Sequence, residues 1–300
     1  MAGKTLRSIT TNGDYYQKAF RLFCEKCGKA KVDREWTRNV FPSAVVDKLR
    51  PLPKGQSLRS LGIGSGTGDF ECAQLQELSK RFDRIRHTVV EPAHAFIHQY
   101  QTSVEQDKNS FTGVEFEWRE ETMQKFTESF RLANKKTSLH HLISSVHSIY
   151  YADSLPETLR GFHDRLLENG GILMVAVTTG ESSNSKFARR FPDLFGQGTG
   201  TSVFDGTAVR EALDSLKFPY AVHNQPSAAD ISVVFDASSS EGGNLLDFLT
   251  HTIDFRGTAP KPLLDEVLAF LRSEECCRLD DGGAVLFENP WDTFVIQKSL

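Results

Sequence analysis

Four glycines alternate in Leu61-Gly62-Ile63-Gly64-Ser65-Gly66-Thr67-Gly68, where a short apolar run gives way to a helical pattern. Glycine opens backbone conformations closed to other residues and lets a ligand approach the chain closely. After a first strand, that spacing predicts a cofactor pressed against the loop through Gly64, Ser65, Gly66 and Gly68. The dinucleotide fingerprint GxGxxG is not met, because its third position falls on Thr67 or Asp69. A phosphate-binding P-loop is excluded too, since no Gly-Lys-Ser/Thr follows. Glu91 ends the second apolar run. In a doubly wound fold a carboxylate at that point can accept hydrogen bonds from both hydroxyls of a ribose. Thr122, after a third strand, can bond an adenine edge, and Val146, after a fourth, can pack on the ring; ordinary capping and core packing compete for both.

The elements that must position these groups follow from periodicity. Residues 14–48 read as helical, with Tyr16, Phe20 and Phe23 on one face and a charged break within 26–34. Strands are expected at 58–63, 85–90, 114–118, 139–144 and 172–178. Helices are expected at 69–82, 93–104 and 155–167, the last stopping at Asn169-Gly170-Gly171. An aromatic-bearing helix follows the fourth strand. Strands alternating with helices predict an α/β, doubly wound, Rossmann-like core with a parallel sheet covered on both faces. Residues 179–202 are rich in Gly and Ser and read as a lid or a substrate-side insertion. Asp205 heads a helix to Leu216. A strand at 231–235, helices at 244–255 and 263–271, and closing strands at 284–287 and 293–297 complete the reading. The expected organisation is N-terminal helices over 1–56, a nucleotide-binding core over 57–178, and lid, insertions and closing strands over 179–300.

Composition narrows the partners. The chain has 300 residues, 39% hydrophobic and 25% charged, and a formal net charge of -4. That balance argues against nucleic acid, whose binders carry a basic face. No apolar run approaches the ~20 residues of a membrane helix, and Met1–Ser8 lacks an apolar signal core. A cytoplasmic protein is expected. Cys24 and Cys27 form a CxxC and Cys276-Cys277 are adjacent. Adjacent cysteines make a poor second pair for zinc, so no metal site is expected and the thiols are read as free.

Further landmarks, in order, are Leu6-Arg-Ser, Tyr16-x3-Phe20-Arg-x-Phe23, Leu61-Gly-Ile-Gly-Ser-Gly-Thr-Gly68, Val89-Val-Glu-Pro92, Ile149-Tyr-Tyr151, Arg190-Phe-Pro192, Leu245-Leu-Asp-Phe-Leu-Thr250, Thr258-Ala-Pro260 and Val285-Leu-Phe-x-Asn289. With them the chain resembles the histamine N-methyltransferase and histamine methyltransferase-like family over nearly its whole length. The resemblance implies a class I methyltransferase core, a smaller substrate-binding part, a monomer, and S-adenosyl-L-methionine as cofactor, leaving S-adenosyl-L-homocysteine. It places Gly64 and Glu91 on cofactor-binding positions, with Thr122 and Val146 near two others. Tyr16, Phe20, Tyr150, Tyr151 and Phe248 fall on the aromatic wall of the amine pocket, and Asn289 on a polar residue that contacts substrate.

The departures from the family pattern bear on the acceptor. His147 stands where the family has a Gln before its Tyr-Tyr pair, and Phe96 or a neighbour replaces another Gln. Ser182, Ser183 and Phe187 occupy a stretch that carries tryptophans in the family. Lys29 aligns with the carboxylate that holds histamine, and the nearest acids are Glu25 and Asp33. A lysine repels an ammonium and can pair with a carboxylate, which points to an imidazole bearing an acid, such as carnosine; a solvated surface lysine is the plainer role.

Methyl transfer from a sulfonium is a direct displacement. It needs donor and acceptor in line, ~3–3.5 Å apart, in a dry site. No catalytic side chain beyond positioning is expected. An aromatic wall excludes water and tolerates the sulfonium through its π faces. A neutral imidazole acceptor needs a partner for its other nitrogen, which Asn289 or His147 can supply. Three readings remain: an imidazole N-methyltransferase, a methyltransferase for another small metabolite such as a phenol or aliphatic amine, and a silent cofactor-binding module.

Overall fold

In the computed structural model, residues 6–132, 139–195 and 204–300 are described. The helices are α1 (Gly13–Lys26), α2 (Lys29–Asn39), α3 (Phe41–Ala44), α4 (Asp69–Ser79), α5 (His94–Gln106), α6 (Met123–Leu132), α7 (Leu155–Gly161), α8 (Ser183–Arg190), α9 (Pro192–Phe195), α10 (Gly206–Leu216), α11 (Ser240–Leu249), α12 (Phe255–Thr258) and α13 (Lys261–Leu271). The strands are β1 (Leu58–Ile63), β2 (Ile85–Val90), β3 (Val114–Arg119), β4 (His140–Val146), β5 (Leu167–Thr178), β6 (Tyr220–Gln225), β7 (Ala228–Asp230), β8 (Arg278–Leu279), β9 (Val285–Glu288) and β10 (Trp291–Gln297). Two compact units interleave along the sequence: Met1–Val32 with Thr178–Asp205 and Gln225–Trp291, and Asp33–Val177 with Gly206–Asn224 and Asp292–Leu300.

The second unit is built on a seven-stranded sheet of order β3-β2-β1-β4-β5-β10-β6. The pairs β1–β2, β1–β4, β2–β3 and β4–β5 are parallel. Strands β1 and β5 are buried along nearly their whole length, as expected where helices cover both faces. The chain runs outward from β1 to β3 and returns to β4 on the other side of β1. The carboxyl ends of β1 and β4 therefore flank a topological switch point, where open α/β sheets bind ligands. Trp36 is fully buried and packs on Phe41 and Phe70, so truncating it to Ala would cost ~3–5 kcal/mol.

The first unit has its own apolar core, including Phe23, Phe187, Leu245, Phe255 and Phe287, and a three-stranded antiparallel sheet of order β7-β9-β8. Helix α1 packs on α11. Ser239 caps α11 by accepting from Gly242 N–H.

Several sequence expectations change. The segment 231–235, read as a strand, is a 3-10 turn over Ser232–Phe235, because the Asp230 carboxylate accepts from Ser232 N–H and starts a helical turn. The segment 284–287 does not close the core sheet; β9 pairs with β7 and β8 instead. Gly170 and Gly171 do not end a helix. They lie inside β5, where His140 pairs with Leu167 and Leu142 with Ile172; Gly170 has a positive φ of 77° and absorbs the bulge. The helix read over 244–255 stops at Leu249, and His251 and Asp254 take left-handed φ values of 51° and 49°. The Gly/Ser-rich stretch carries α8, capped by Ser182 and packed through the buried Phe187; its part from 196 to 202 lies outside the described residues. Strand β6 and helix α6 were not anticipated.

Candidate functional site

The loop from β1 to α4 bends through three left-handed glycines, with φ of 64° at Gly64, 56° at Gly66 and 80° at Gly68. Each has a different neighbour. A Cβ on Gly64 would overlap Ser148, and one on Gly68 would overlap the ring of Tyr100. A Cβ on Gly66 would meet nothing within 4 Å. The open side of the loop is thus at Gly66, with Gly64 and Gly68 holding its two ends. The loop is anchored to the end of β2, where Gly64 N–H donates to Val90 carbonyl at 2.8 Å. Ser148 Oγ donates to Ile63 carbonyl at 2.6 Å and sits 2.8 Å from Ser145 Oγ, fixing the ends of β1 and β4 to each other.

Glu91 faces this loop. Its Oε2 accepts from Gly66 N–H and its Oε1 from Ala93 N–H, both at 2.9 Å. The side chain is 6% exposed. Burial pushes its carboxyl above the ordinary carboxylate range, against the two backbone donors that favour the ionised form. Two parts that the sequence placed a helix apart are therefore in direct contact. Ser65 Oγ, in the same loop, is a buried hydroxyl without a hydrogen-bond partner among the described residues.

At the end of β4, His147 adopts a left-handed φ of 51°. A non-glycine residue held there carries backbone strain, which persists where the surroundings over-determine it. Its N–H donates to Ala176 carbonyl at 2.9 Å, and its Nδ1 lies 3.3 Å from Tyr150 hydroxyl. Tyr151 is 53% exposed; burial of its hydroxyl end, then the charge of Glu91, raise its pKa. The expected aromatic helix is the short 3-10 turn Ile149–Tyr151. Thr122 accepts from Lys125 N–H at 3.3 Å at the start of α6, so it serves as a helix cap. Val146 is the last residue of β4 and is half-buried.

In the first unit, Tyr16 stacks on Phe20 with ring centroids 5.9 Å apart and an interplanar angle of 6°. Phe248 lies 6.3 Å from Tyr16, 5.8 Å from Phe20 and 4.9 Å from Phe23. These three sequence-predicted aromatics thus form one cluster, extended by Phe23, which also meets Phe287 edge-on. Phe20 is 37% exposed, so the cluster presents a ring rather than burying all of them. Asn289 follows β9 and is held by its N–H donating to Ser227 carbonyl, while its Oδ1 is buried without a hydrogen-bond partner among the described residues. Lys29 is the half-buried first residue of α2. The chain in this unit also holds a pair the sequence did not single out: Tyr15 hydroxyl donates to Asp247 at 2.6 Å. Nothing in the spacing of two residues 232 positions apart signals it.

Among the described residues, no group of three or more His, Cys, Asp or Glu is arranged to hold a metal ion, and no helix is long and apolar enough to cross a membrane.

No protein-family model matches the chain. Curated relatives do, over nearly its whole length. A histamine N-methyltransferase from Danio rerio is 28% identical over 287 residues, covering 94% of this chain and 95% of its own. One from Xenopus tropicalis is 28% identical over 296 residues, covering 98% of each. Carnosine N-methyltransferase 2 from Gallus gallus is 26% identical over 290 residues, covering 95% of this chain and 87% of its own. Among solved structures, a candidate methyltransferase from Bacillus halodurans aligns with a TM-score of 0.53 at 11% identity, covering 85% of this chain and 97% of that one. The YcgJ protein of Bacillus subtilis aligns with a TM-score of 0.51 at 14% identity, covering 81% and 93%. The sheet order, with a glycine loop facing a strand-end acid, is the class I methyltransferase fold, and the chain is similar from end to end to histamine N-methyltransferases.

Proposed function

We propose that the chain transfers a methyl group from S-adenosyl-L-methionine to a ring nitrogen of a small imidazole amine. The observation that carries this reading is the contact of the Glu91 carboxylate with Gly66 N–H across an open, left-handed glycine loop. The residues fit the cofactor. Glu91 offers two carboxylate oxygens for ribose hydroxyls, Gly66 leaves room for close approach, and the buried Ser65 hydroxyl has hydrogen-bonding capacity unused among the described residues. Gly64, Ser65, Gly66, Gly68 and Glu91 would hold it, with Thr122 and Val146 at the adenine. When bound, the cofactor supplies an activated methyl carbon.

The chain's own task is then positioning. Tyr16, Phe20 and Phe248 offer apolar ring faces to a flat acceptor and to a cation. Asn289 Oδ1, lacking a partner among the described residues, can accept the N–H of a neutral imidazole and so leave the other nitrogen's lone pair for attack. His147 Nδ1 lies 3.3 Å from the Tyr150 hydroxyl, and by the resemblance both residues, with Tyr151, are substrate-side. No covalent step on the protein is required.

A second acceptor is favoured by Lys29. A cation at the position that carries an acid in the family opposes an ammonium and suits a carboxylate, as in carnosine, and one full-length relative is named for that substrate. The reading as a whole is tested by incubation with methyl-labelled S-adenosylmethionine and a panel of histamine, carnosine, histidine, phenols and simple amines, read by product mass. Label in an imidazole is the expected result. Label only in phenols or aliphatic amines, or cofactor binding without turnover on any acceptor, would overturn it.

A further inference from the structure

Gly62 is the first of the four alternating glycines, yet its φ is not in the left-handed range and it precedes the loop proper. The structure gives it another reason to be glycine. A Cβ there would overlap the carboxylate of Glu71, which leans from the first turn of α4 across β1. Glu71 is 5% exposed. Its Oε2 lies 2.9 Å from His87 Nε2, and His87 Nδ1 lies 2.8 Å from Ser60 Oγ. His87 and Ser60 are each 3% exposed. The arrangement is satisfied when Nε2–H donates to Glu71 and the Ser60 hydroxyl donates to Nδ1. Serine, imidazole and acid in a row have the makings of a hydrolytic centre, but at this burial no substrate reaches Ser60.

What the chain joins is more telling. Ser60 is on β1, which leads into the glycine loop. His87 is on β2, four residues before Glu91. Glu71 is on α4, three residues after the loop ends at Gly68. One turn further along α4, the Gln74 carboxamide accepts from Ser144 Oγ on β4 at 3.3 Å. The buried face of α4 is therefore not a plain apolar stripe. It sets two polar side chains, with Leu75 and Leu78, against the strands whose ends carry the candidate cofactor residues. Satisfied polar groups in a buried layer favour one geometry, because displacement leaves a buried donor or acceptor unpaired. Apolar contacts alone would tolerate sliding.

We propose that Ser60, His87 and Glu71 are positioning residues that set the loop 64–68 against Glu91, and that Gly62 is glycine to admit the Glu71 carboxylate. The consequence for ligand affinity rests on the S-adenosylmethionine reading; the consequence for loop order does not. The test uses the full-length chain. Amide hydrogen exchange over 64–72 is measured without ligand, and S-adenosylhomocysteine binding is measured by calorimetry. Glu71→Gln keeps the shape and an acceptor oxygen for His87. Glu71→Leu keeps approximate volume and loses the acceptor. The expected result is loop exchange at least tenfold faster and affinity at least tenfold weaker in Glu71→Leu, with Glu71→Gln within about threefold of the parent on both. A role in packing alone would reverse that order. Ser60→Ala, which removes one hydroxyl, should move exchange in the same direction by about threefold and serves if Glu71→Leu does not fold. Loop exchange within twofold of the parent in the folded variants, or Glu71→Gln as disruptive as Glu71→Leu, overturns the proposal. If the parent chain binds no S-adenosylhomocysteine, the functional reading fails while the exchange ratio still decides this one.

Discussion

The Tyr15 hydroxyl donates a 2.6 Å hydrogen bond to Asp247, a carboxylate only 2% exposed that also accepts from Asp254 N–H at 2.6 Å and Phe255 N–H at 2.9 Å. Their neighbours in sequence, Tyr16 and Phe248, are in the aromatic cluster. The bond therefore ties α1 to α11 next to the rings proposed to hold the acceptor. Burial raises the Asp247 carboxyl pKa despite these donors, and burial followed by the Asp247 bond raises that of Tyr15. Removing the phenol hydroxyl in Tyr15→Phe should cost ~1.5–3 kcal/mol of unfolding free energy, the range for a hydrogen bond to a charged group. Asp247→Ala should cost more, because it also strands the two backbone donors. Urea unfolding of both variants checks the order; equal costs would show that the backbone donors find other partners.

Gly64 and Gly66 share a left-handed backbone but differ in their surroundings, so alanine should separate stability from binding. Gly64→Ala combines backbone strain with a clash on Ser148 and should lower the thermal midpoint markedly. Gly66→Ala meets open space and pays mainly the ~1–2 kcal/mol of a left-handed L-residue. It should nevertheless weaken S-adenosylhomocysteine binding at least tenfold, since its methyl would occupy the ligand's side of the loop. Calorimetric binding paired with a thermal melt reads both.

Glu91 sets a pH limit on the same binding. Only the ionised carboxylate can accept from two ribose hydroxyls and from Gly66 N–H together. Because burial raises its pKa, affinity should fall as pH drops, and the fall should begin above the ordinary carboxyl range. Glu91→Gln should bind more weakly throughout and lose that pH dependence. An unchanged pH profile in Glu91→Gln would remove Glu91 from the cofactor's contacts.

Imidazoles withdrawn from water contribute to acid stability. Burial lowers His140 and His251 from the usual 6.5 to about 4. The unfolded chain therefore takes up these protons first as pH falls. Stability from their neutral form is complete above about pH 6.5 and is lost between there and about pH 4, by up to ~3 kcal/mol for each group at 1.36 kcal/mol per pKa unit. Glu91 and Asp247, with raised pKa values, act in the opposite sense. The difference between parent and His140→Gln is accordingly the clean measure. Denaturant midpoints at pH 7.5, 6 and 5 should show a shallower acid decline in the variant.

Lys29 is the test of acceptor charge. Lys29→Glu should shift the ratio of specificity constants from carnosine toward histamine, by repelling the carboxylate and attracting the ammonium. Steady-state kinetics on both acceptors read it directly. An unchanged ratio would leave Lys29 as a surface cation with no part in selection.

The sequence by itself determined β1, the glycine loop, the start of α4, β2 and the acid at its end. These are local: short strands buried on both faces, glycines where the backbone must turn left-handed, and an acid at the interval one helix and one strand require. The aromatic periodicity of Tyr16, Phe20 and Phe23 was legible for the same reason. Tertiary structure alone decided what long-range pairing decides. A four-residue strand such as β9 carries no mark of its partner, so its place with β7 and β8 rather than in the central sheet could not be read. Gly170 and Gly171 look like a helix stop until the register of β4 against β5 calls for a bulge. Asp247 with Tyr15, and Glu71 with His87 and Ser60, join residues from separate elements; only folding removes the water that would otherwise satisfy them, and only then do those particular partners become obligatory.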